Sequence, residues 1–168
     1  MQEYTEKIFL ELINNNKAII YKVSKMYMDD AEDRRDLFQE IVMQLWKAYP
    51  GFKGNSKFTT WMYRVALNTA LLFLKKETRK VDKTPLNENI DLADVNYSYD
   101  KEEKLAYLYK AVQELNSIEK ALIFLFLENQ SHKEIAQNLG ITEVNARVKL
   151  SRTKEKLQFI IKKNGYEF

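Results

Sequence analysis

Residues 131–152 read Ser-His-Lys-Glu-Ile-Ala-Gln-Asn-Leu-Gly-Ile-Thr-Glu-Val-Asn-Ala-Arg-Val-Lys-Leu-Ser-Arg, and this stretch decides the fold. Ser131 and Glu134 have the spacing of a capping box, a serine at the cap with a glutamate three residues later. A two-turn helix is expected to Leu139, after which Gly140 supplies the left-handed residue of a tight turn. Thr142 then caps a second helix that starts at Glu143. Ile135, Ala136, Leu139, Ile141, Ala146 and Leu150 fall on the inner side of a helix-turn-helix, and small Ala136 lets the two helices cross closely. Thr142, Asn145, Lys149 and Arg152 form an outward stripe suited to a major groove, with Arg147 able to reach a flanking phosphate. The bland alternative is a plain helical hairpin with a basic tail. The capping box, central glycine and basic second helix together favour DNA. His132, in the first turn of the shorter helix, has no Ser, Cys or carboxylate spaced to pair with it, so it reads as solvated or phosphate-side.

The rest of the composition agrees with a helical nucleic-acid binder. The 168 residues suffice for one compact domain or two small ones. Four Gly and two Pro argue for mostly helix. With no cysteine, disulfides and thiolate metal sites are excluded, and a single histidine excludes a multi-histidine zinc site. No nucleophile–base constellation or Gly-rich phosphate loop is present, so no catalytic residue, cofactor or metal is expected. No apolar run reaches membrane-span length, and the opening MQEYTEKIF lacks a signal-peptide profile, so the expected compartment is the cytoplasm.

Charge is blocked along the chain. The net formal charge is −2 over residues 1–50, +6 over 51–83, −5 over 84–130 and +4 over 131–168. Two basic blocks separated by acidic ones suggest two separate contacts with one long polyanion.

The first basic block is Gly51 to Lys83. It holds a loop, Lys53-Gly54-Asn55-Ser56-Lys57, followed by a helical run from Phe58 to Lys76. Cations interleaved with Phe52, Phe58, Trp61, Tyr63 and Phe73 suit a single-stranded nucleic acid, and they equally suit a core helix with solvated lysines at its ends. Apolar residues surround most of this helix, which places it between neighbours. Trp61, Val65, Leu67 and Leu74 read as core. Lys57, Thr60, Arg64, Asn68 and Lys75 read as one polar stripe, interrupted by Leu71 and Leu72.

Upstream, residues 3–13 read as a short amphipathic helix broken by Asn14-Asn15-Asn16, with a second helix from Lys17 to about Tyr27. Asp29 or Asp30 caps the next helix, whose stripe is Leu37, Ile41, Leu45 and Ala48 with Phe38, Val42 and Trp46 beside it. The Asp29-Asp30-x-x-Asp33 spacing also invites a Mg²⁺–diphosphate enzyme reading. That chemistry needs a second acidic cluster across a deep cavity, and a capped acidic helix start is simpler. Downstream, periodicity lapses from Thr78 to about Asp100, which reads as a flexible acidic linker. Helicity resumes at Lys101 and again over Ile118–Glu128. The expected fold is all-α, with two small helical domains (1–77 and 101–168) joined by the linker 78–100.

Two motif blocks resemble a known family. Asp33-x-x-Asp36-Leu37-Phe38-Gln39-Glu40-Ile41 through Lys47, followed by Phe52-x-Gly54-x-Ser56-x-Phe58-x-Thr60-Trp61-x-x-Arg64-Val65-Ala66-x-Asn68, looks like the second domain of bacterial extracytoplasmic-function sigma factors. Leu115–Leu157, with Ser131-x-x-Glu134-Ile135-Ala136 and Gly140-Ile141-Thr142-Glu143, looks like that family's fourth domain. The resemblance implies a non-enzymatic promoter-specificity subunit. Asp33, Asp36, Leu37, Gln39, Glu40 and Trp46 would dock on the β′ clamp helices of core RNA polymerase, with the β flap as a further partner. Lys53, Gly54, Asn55, Ser56, Lys57, Arg64, Asn68 and Lys75 would handle a −10 element with a flipped base. Thr142, Glu143, Asn145, Arg147, Lys149 and Arg152 would read a −35 duplex. The linker would thread toward the polymerase active-site channel, its acidity mimicking nucleic acid. The resemblance also implies a monomer when free, and an anti-sigma factor that masks both domains and holds the chain near the inner membrane. Many members carry an acidic or polar residue four after the Asn. Here that position is Leu72, and no −10 contact is carried onto it. The competing reading is a helix-turn-helix repressor or activator independent of core polymerase, which would ordinarily need a sensor domain and dimerise on two half-sites.

Overall fold

The computed structural model describes residues 2–80 and 99–165, and every described element is helical. The chain divides into two compact units, Met1–Leu86 and Asn87–Phe168.

The first unit is a three-helix bundle of α1 (Gln2–Tyr27), α2 (Ala31–Ala48) and α3 (Phe58–Lys80), with a single 3₁₀ turn at Tyr49–Gly51. Each helix packs on the other two. The stripe Leu37, Ile41 and Leu45 of α2 is fully buried against Ile20 and Val23 of α1 and Met62 and Leu67 of α3. Full burial of such side chains is worth about 1.5–3 kcal/mol each, which is what holds a bundle of this size. Ala66 and Ala70, also fully buried, keep α3 close to its neighbours.

Three expectations are corrected here. The Asn14–Asn16 run does not break the first helix, because the Asn16 side chain turns back and Nδ2 donates to the Leu12 carbonyl at 2.8 Å. Ile13 and Ile19–Ile20 are buried on either side of it, so packing carries the helix through. Helix α3 continues to Lys80, so residues 78–80 expected in the linker are its last turn; 81–98, the remainder of that linker apart from Tyr99 and Asp100, lies outside the described residues. Thr60, expected on the polar stripe, is buried at 6% exposure.

The second unit contains α4 (Tyr99–Gln113), α5 (Ser117–Leu127), α6 (His132–Leu139) and α7 (Glu143–Lys163). The long α7 packs on the other three. Its inward line of Ala146, Leu150, Thr153, Leu157 and Ile160 meets Leu122 and Leu125 of α5 and Ile135 and Ala136 of α6. Asn116 and Glu119 cap α5 reciprocally: Glu119 N–H donates to Asn116 Oδ1 at 2.9 Å, and Asn116 N–H donates to Glu119 Oε2 at 3.0 Å.

Candidate nucleic-acid interface

In the first unit, aromatic contacts pin both ends of the basic loop. The Phe52 ring lies 5.8 Å from Phe58 and 5.1 Å from Trp61 between centroids, and Tyr49 lies 6.4 Å from Trp61. The Phe52 N–H donates to the Tyr49 carbonyl at 3.0 Å, closing the preceding turn. These rings are occupied with one another, which assigns most of the aromatic content of this stretch to structure. Between the pins, Lys53, Gly54, Asn55, Ser56 and Lys57 are all exposed. Gly54 has φ +72°, a left-handed conformation that costs glycine nothing and any other residue strain. The Ser56 hydroxyl donates to the Lys57 carbonyl at 3.3 Å. That carbonyl also receives the Trp61 N–H at 3.1 Å, so the loop feeds directly into the positive end of the α3 dipole.

Arg64 and Asn68 are exposed one turn apart on α3, and Lys75 is exposed two turns further on. Leu72 sits between them at 60% exposure. The surface stripe is therefore Lys57, Arg64, Asn68, Leu72 and Lys75, with an apolar residue in a polar row.

On α2, Asp30 is the cap: its Oδ2 accepts from the N–H groups of Glu32 at 2.9 Å and Asp33 at 3.1 Å. Partial burial, then the carboxylates of Asp30, Glu77, Asp36 and Glu32, push Asp33 above the usual Asp range. Asp36 and Gln39 are exposed, and Glu40 is half-buried and accepts from Gln44 Nε2 at 2.8 Å. Trp46 is 39% exposed and tilted against Phe9 at 4.9 Å. Leu37 is 0% exposed and faces the bundle core, so it is removed from the set of surface contacts. Its neighbours Phe38, Val42, Met43 and Trp46 instead line, with Phe9 and Leu10 of α1, an apolar groove of about 480 Å³. The i, i+4 spacing of Phe38, Val42 and Trp46 carried that signal in the sequence.

In the second unit the helix-turn-helix has the expected local chemistry. Glu134 N–H donates to Ser131 Oγ at 3.2 Å, and Ser131 N–H donates to Glu134 Oε2 at 2.8 Å. Gly140 is left-handed, with φ 66° and ψ 35°, and the Ile141 N–H returns to the Ala136 carbonyl at 3.0 Å. Asn145 N–H donates to Thr142 Oγ1 at 3.2 Å, capping α7. Thr142, Glu143, Asn145, Arg147, Lys149 and Arg152 are all exposed. Arg147 Nη2 donates to Glu143 Oε1 at 3.1 Å. Val144 and Val148 are also exposed, at 69% and 43%, on this same part of α7. Sequence reasoning passed over both, because a valine among polar residues is indistinguishable there from a core position.

Three ties hold α7 in place at its far end. Lys156 Nζ reaches Glu119 Oε2 at 2.9 Å, Asn164 Nδ2 donates to Glu114 Oε1 at 2.9 Å, and Lys154 Nζ lies 3.6 Å from the Phe126 ring centroid. Partial burial raises Glu119, but the hydrogen bonds from Lys156 and from the Asn116 backbone, with the Lys156 charge, bring it below the usual Glu range. Among the described residues no helix is long and apolar enough to cross a membrane.

Residues 12–80 match the family Sigma-70 region 2, and residues 105–157 match Sigma-70, region 4. A 48-residue stretch is 46% identical to the ECF RNA polymerase sigma factor SigG of Mycobacterium tuberculosis, covering 29% of this chain and only 13% of that relative. The ECF RNA polymerase sigma-E factor of Haemophilus influenzae is 25% identical over 175 residues, covering 94% of this chain and 89% of the relative. The fold is shared with the sigma factor RpoE from Bartonella quintana, solved in complex with the anti-sigma factor NepR. That likeness has a TM-score of 0.76 at 20% identity, over 93% of this chain and 98% of the other.

Proposed function

The chain belongs to the sigma-70 family as an extracytoplasmic-function member, with region 2 followed by region 4, and on that premise we propose that it directs core RNA polymerase to promoters by gripping DNA at two elements. The observation that carries this reading is the occurrence, in order in one chain, of both family regions, each presenting an exposed polar face. The family is generally non-enzymatic, and the proposed role is that of a specificity subunit with no reaction of its own.

In this reading the first unit, through the end of α3 at Lys80, is region 2, and the second unit, from α4 onward, is region 4. Asp33, Asp36, Gln39, Glu40 and Trp46 dock on the β′ clamp helices, and the second unit engages the β flap. The apolar groove beside Trp46 supports this assignment, since it offers a core to a contact whose rim is Asp36 and Gln39. Lys53, Gly54, Asn55, Ser56, Lys57, Arg64, Asn68 and Lys75 hold the −10 strand with a base flipped toward the loop. Their support is exposure on one loop, which lies at the positive end of α3, and along one face of that helix. Thr142, Asn145, Lys149 and Arg152 read the −35 duplex from α7, Arg147 takes a flanking phosphate, and Glu143 holds Arg147 while DNA is absent. The free chain is a cytoplasmic monomer held in check by an anti-sigma factor, a reading supported by the RpoE–NepR relative. Gel filtration with purified core polymerase and a promoter fragment tests the assembly. Co-elution of all three is expected; a chain that elutes apart from core polymerase, or as a dimer bound to DNA alone, contradicts it.

A further inference from the structure

Val144 and Val148 lie one turn apart on α7, just after the helix-turn-helix turn, and are exposed at 69% and 43%. Isolated exposed apolar side chains are ordinary on protein surfaces. These two differ in their setting. They share a helix face, and Asn145, Lys149 and Arg152 are exposed around them. Valine is a mediocre helix former, and at 69% exposure Val144 gains little from burial, while Val148 at 43% gains only part of what a core valine would. Helix propensity and partial burial do not select a valine pair here.

A major groove supplies the missing partner. Its one protruding apolar group is the C5-methyl of thymine, and small aliphatic side chains on a recognition helix contact it. We infer that Val144 and Val148 read thymine methyls, setting base preference within the −35 element, while Asn145, Lys149 and Arg152 supply hydrogen bonds and phosphate contacts. This rests on the −35 role proposed above for α7. Residues four apart on a helix are separated by about 6 Å along its axis, and bases on one strand by about 3.4 Å. The two valines therefore address thymines about two base pairs apart, or closer where the helix lies across the groove.

The test uses holoenzyme reconstituted from the full chain and core RNA polymerase. Duplexes are selected from a random-sequence pool, and the recovered sequence is remade with deoxyuridine replacing thymidine one position at a time. At one or two positions the loss of a methyl should weaken wild-type binding roughly three- to fivefold, the scale of one buried methyl group. Val144→Ser and Val148→Ser should each lose that discrimination at one position while keeping the wild-type helical circular dichroism. Equal binding of thymidine and deoxyuridine by the wild type, or discrimination unchanged in both variants, overturns the inference and leaves the −35 role intact. Failure to enrich any duplex overturns the −35 role and the inference with it.

Discussion

The guanidinium of Arg147 is held by the carboxylate of Glu143 one turn earlier on α7, Nη2 to Oε1 at 3.1 Å, with both side chains largely exposed. The pair sits on the first turns of the helix assigned to the −35 element. In the proposed complex it would occupy a cation that a phosphate could use and would bring an anion close to the polyanion. Glu143→Gln should therefore tighten DNA binding and steepen its dependence on salt by about one charge, because Arg147 becomes free to displace a counterion. Fluorescence anisotropy across a salt series reads the slope directly. An unchanged slope would remove Arg147 from phosphate contact.

Lys156 and Glu119 tie α7 to α5 across the second unit. The carboxyl of Glu119 titrates below its ordinary value in the folded state. Its contribution is thus fully present above the unfolded-state pKa, about 4.3, and is lost as pH falls through the lower folded value. Both side chains are partly exposed, so the gain belongs at the low end for surface pairs, up to about 1 kcal/mol. Thermal melts from pH 7 to pH 3 should show Glu119→Gln flattening the acid side of the stability curve. A variant as acid-sensitive as the wild type would discount the tie.

Asp33 has the opposite sign. Its folded pKa is raised by partial burial and by four neighbouring carboxylates, so its ionisation opposes folding. The penalty is absent below the unfolded pKa of Asp, about 3.9, and grows as pH rises through the raised value. Asp33→Asn should raise the melting temperature at pH 7, with the gain vanishing near pH 3. A lower melting temperature at pH 7 would show that Asp33 is held by attractive contacts instead.

Leu37 and Asp36 are adjacent in sequence and should fail differently. Leu37→Ala removes a fully buried side chain and should cost about 2–5 kcal/mol of stability, read by chemical denaturation. Asp36→Lys with Gln39→Lys alters two exposed positions and should leave stability nearly unchanged while abolishing co-purification with core polymerase. Retained co-purification would sink the docking assignment.

Much of this arrangement was legible in the chain. The caps at Ser131 and Thr142, the turn at Gly140 and a cap at Asp29 or Asp30, which the structure resolves to Asp30, are local chemistry, and local chemistry is visible at fixed offsets. Other features were not. Asn14–Asn16 looks like a break because asparagine favours turns, yet Asn16 bonds within its own helix and Ile13 and Ile20 bind that helix to the bundle. Leu37 shares a motif with the residues proposed for docking, and only its azimuth on α2 distinguishes core from surface. Thr60 keeps the helical spacing of Arg64 and Asn68, but packing in the bundle closes over it. In each case the deciding term is tertiary, so no window of sequence contains it.

In the proposed role, one chain makes core RNA polymerase promoter-specific. Run-off transcription with purified core polymerase, with and without the chain, tests it most directly on a library of genomic templates. Discrete transcripts should appear only with the chain and should disappear with Asp36→Lys/Gln39→Lys. The same transcript pattern with core polymerase alone, or no promoter-specific product when both are present, would contradict it.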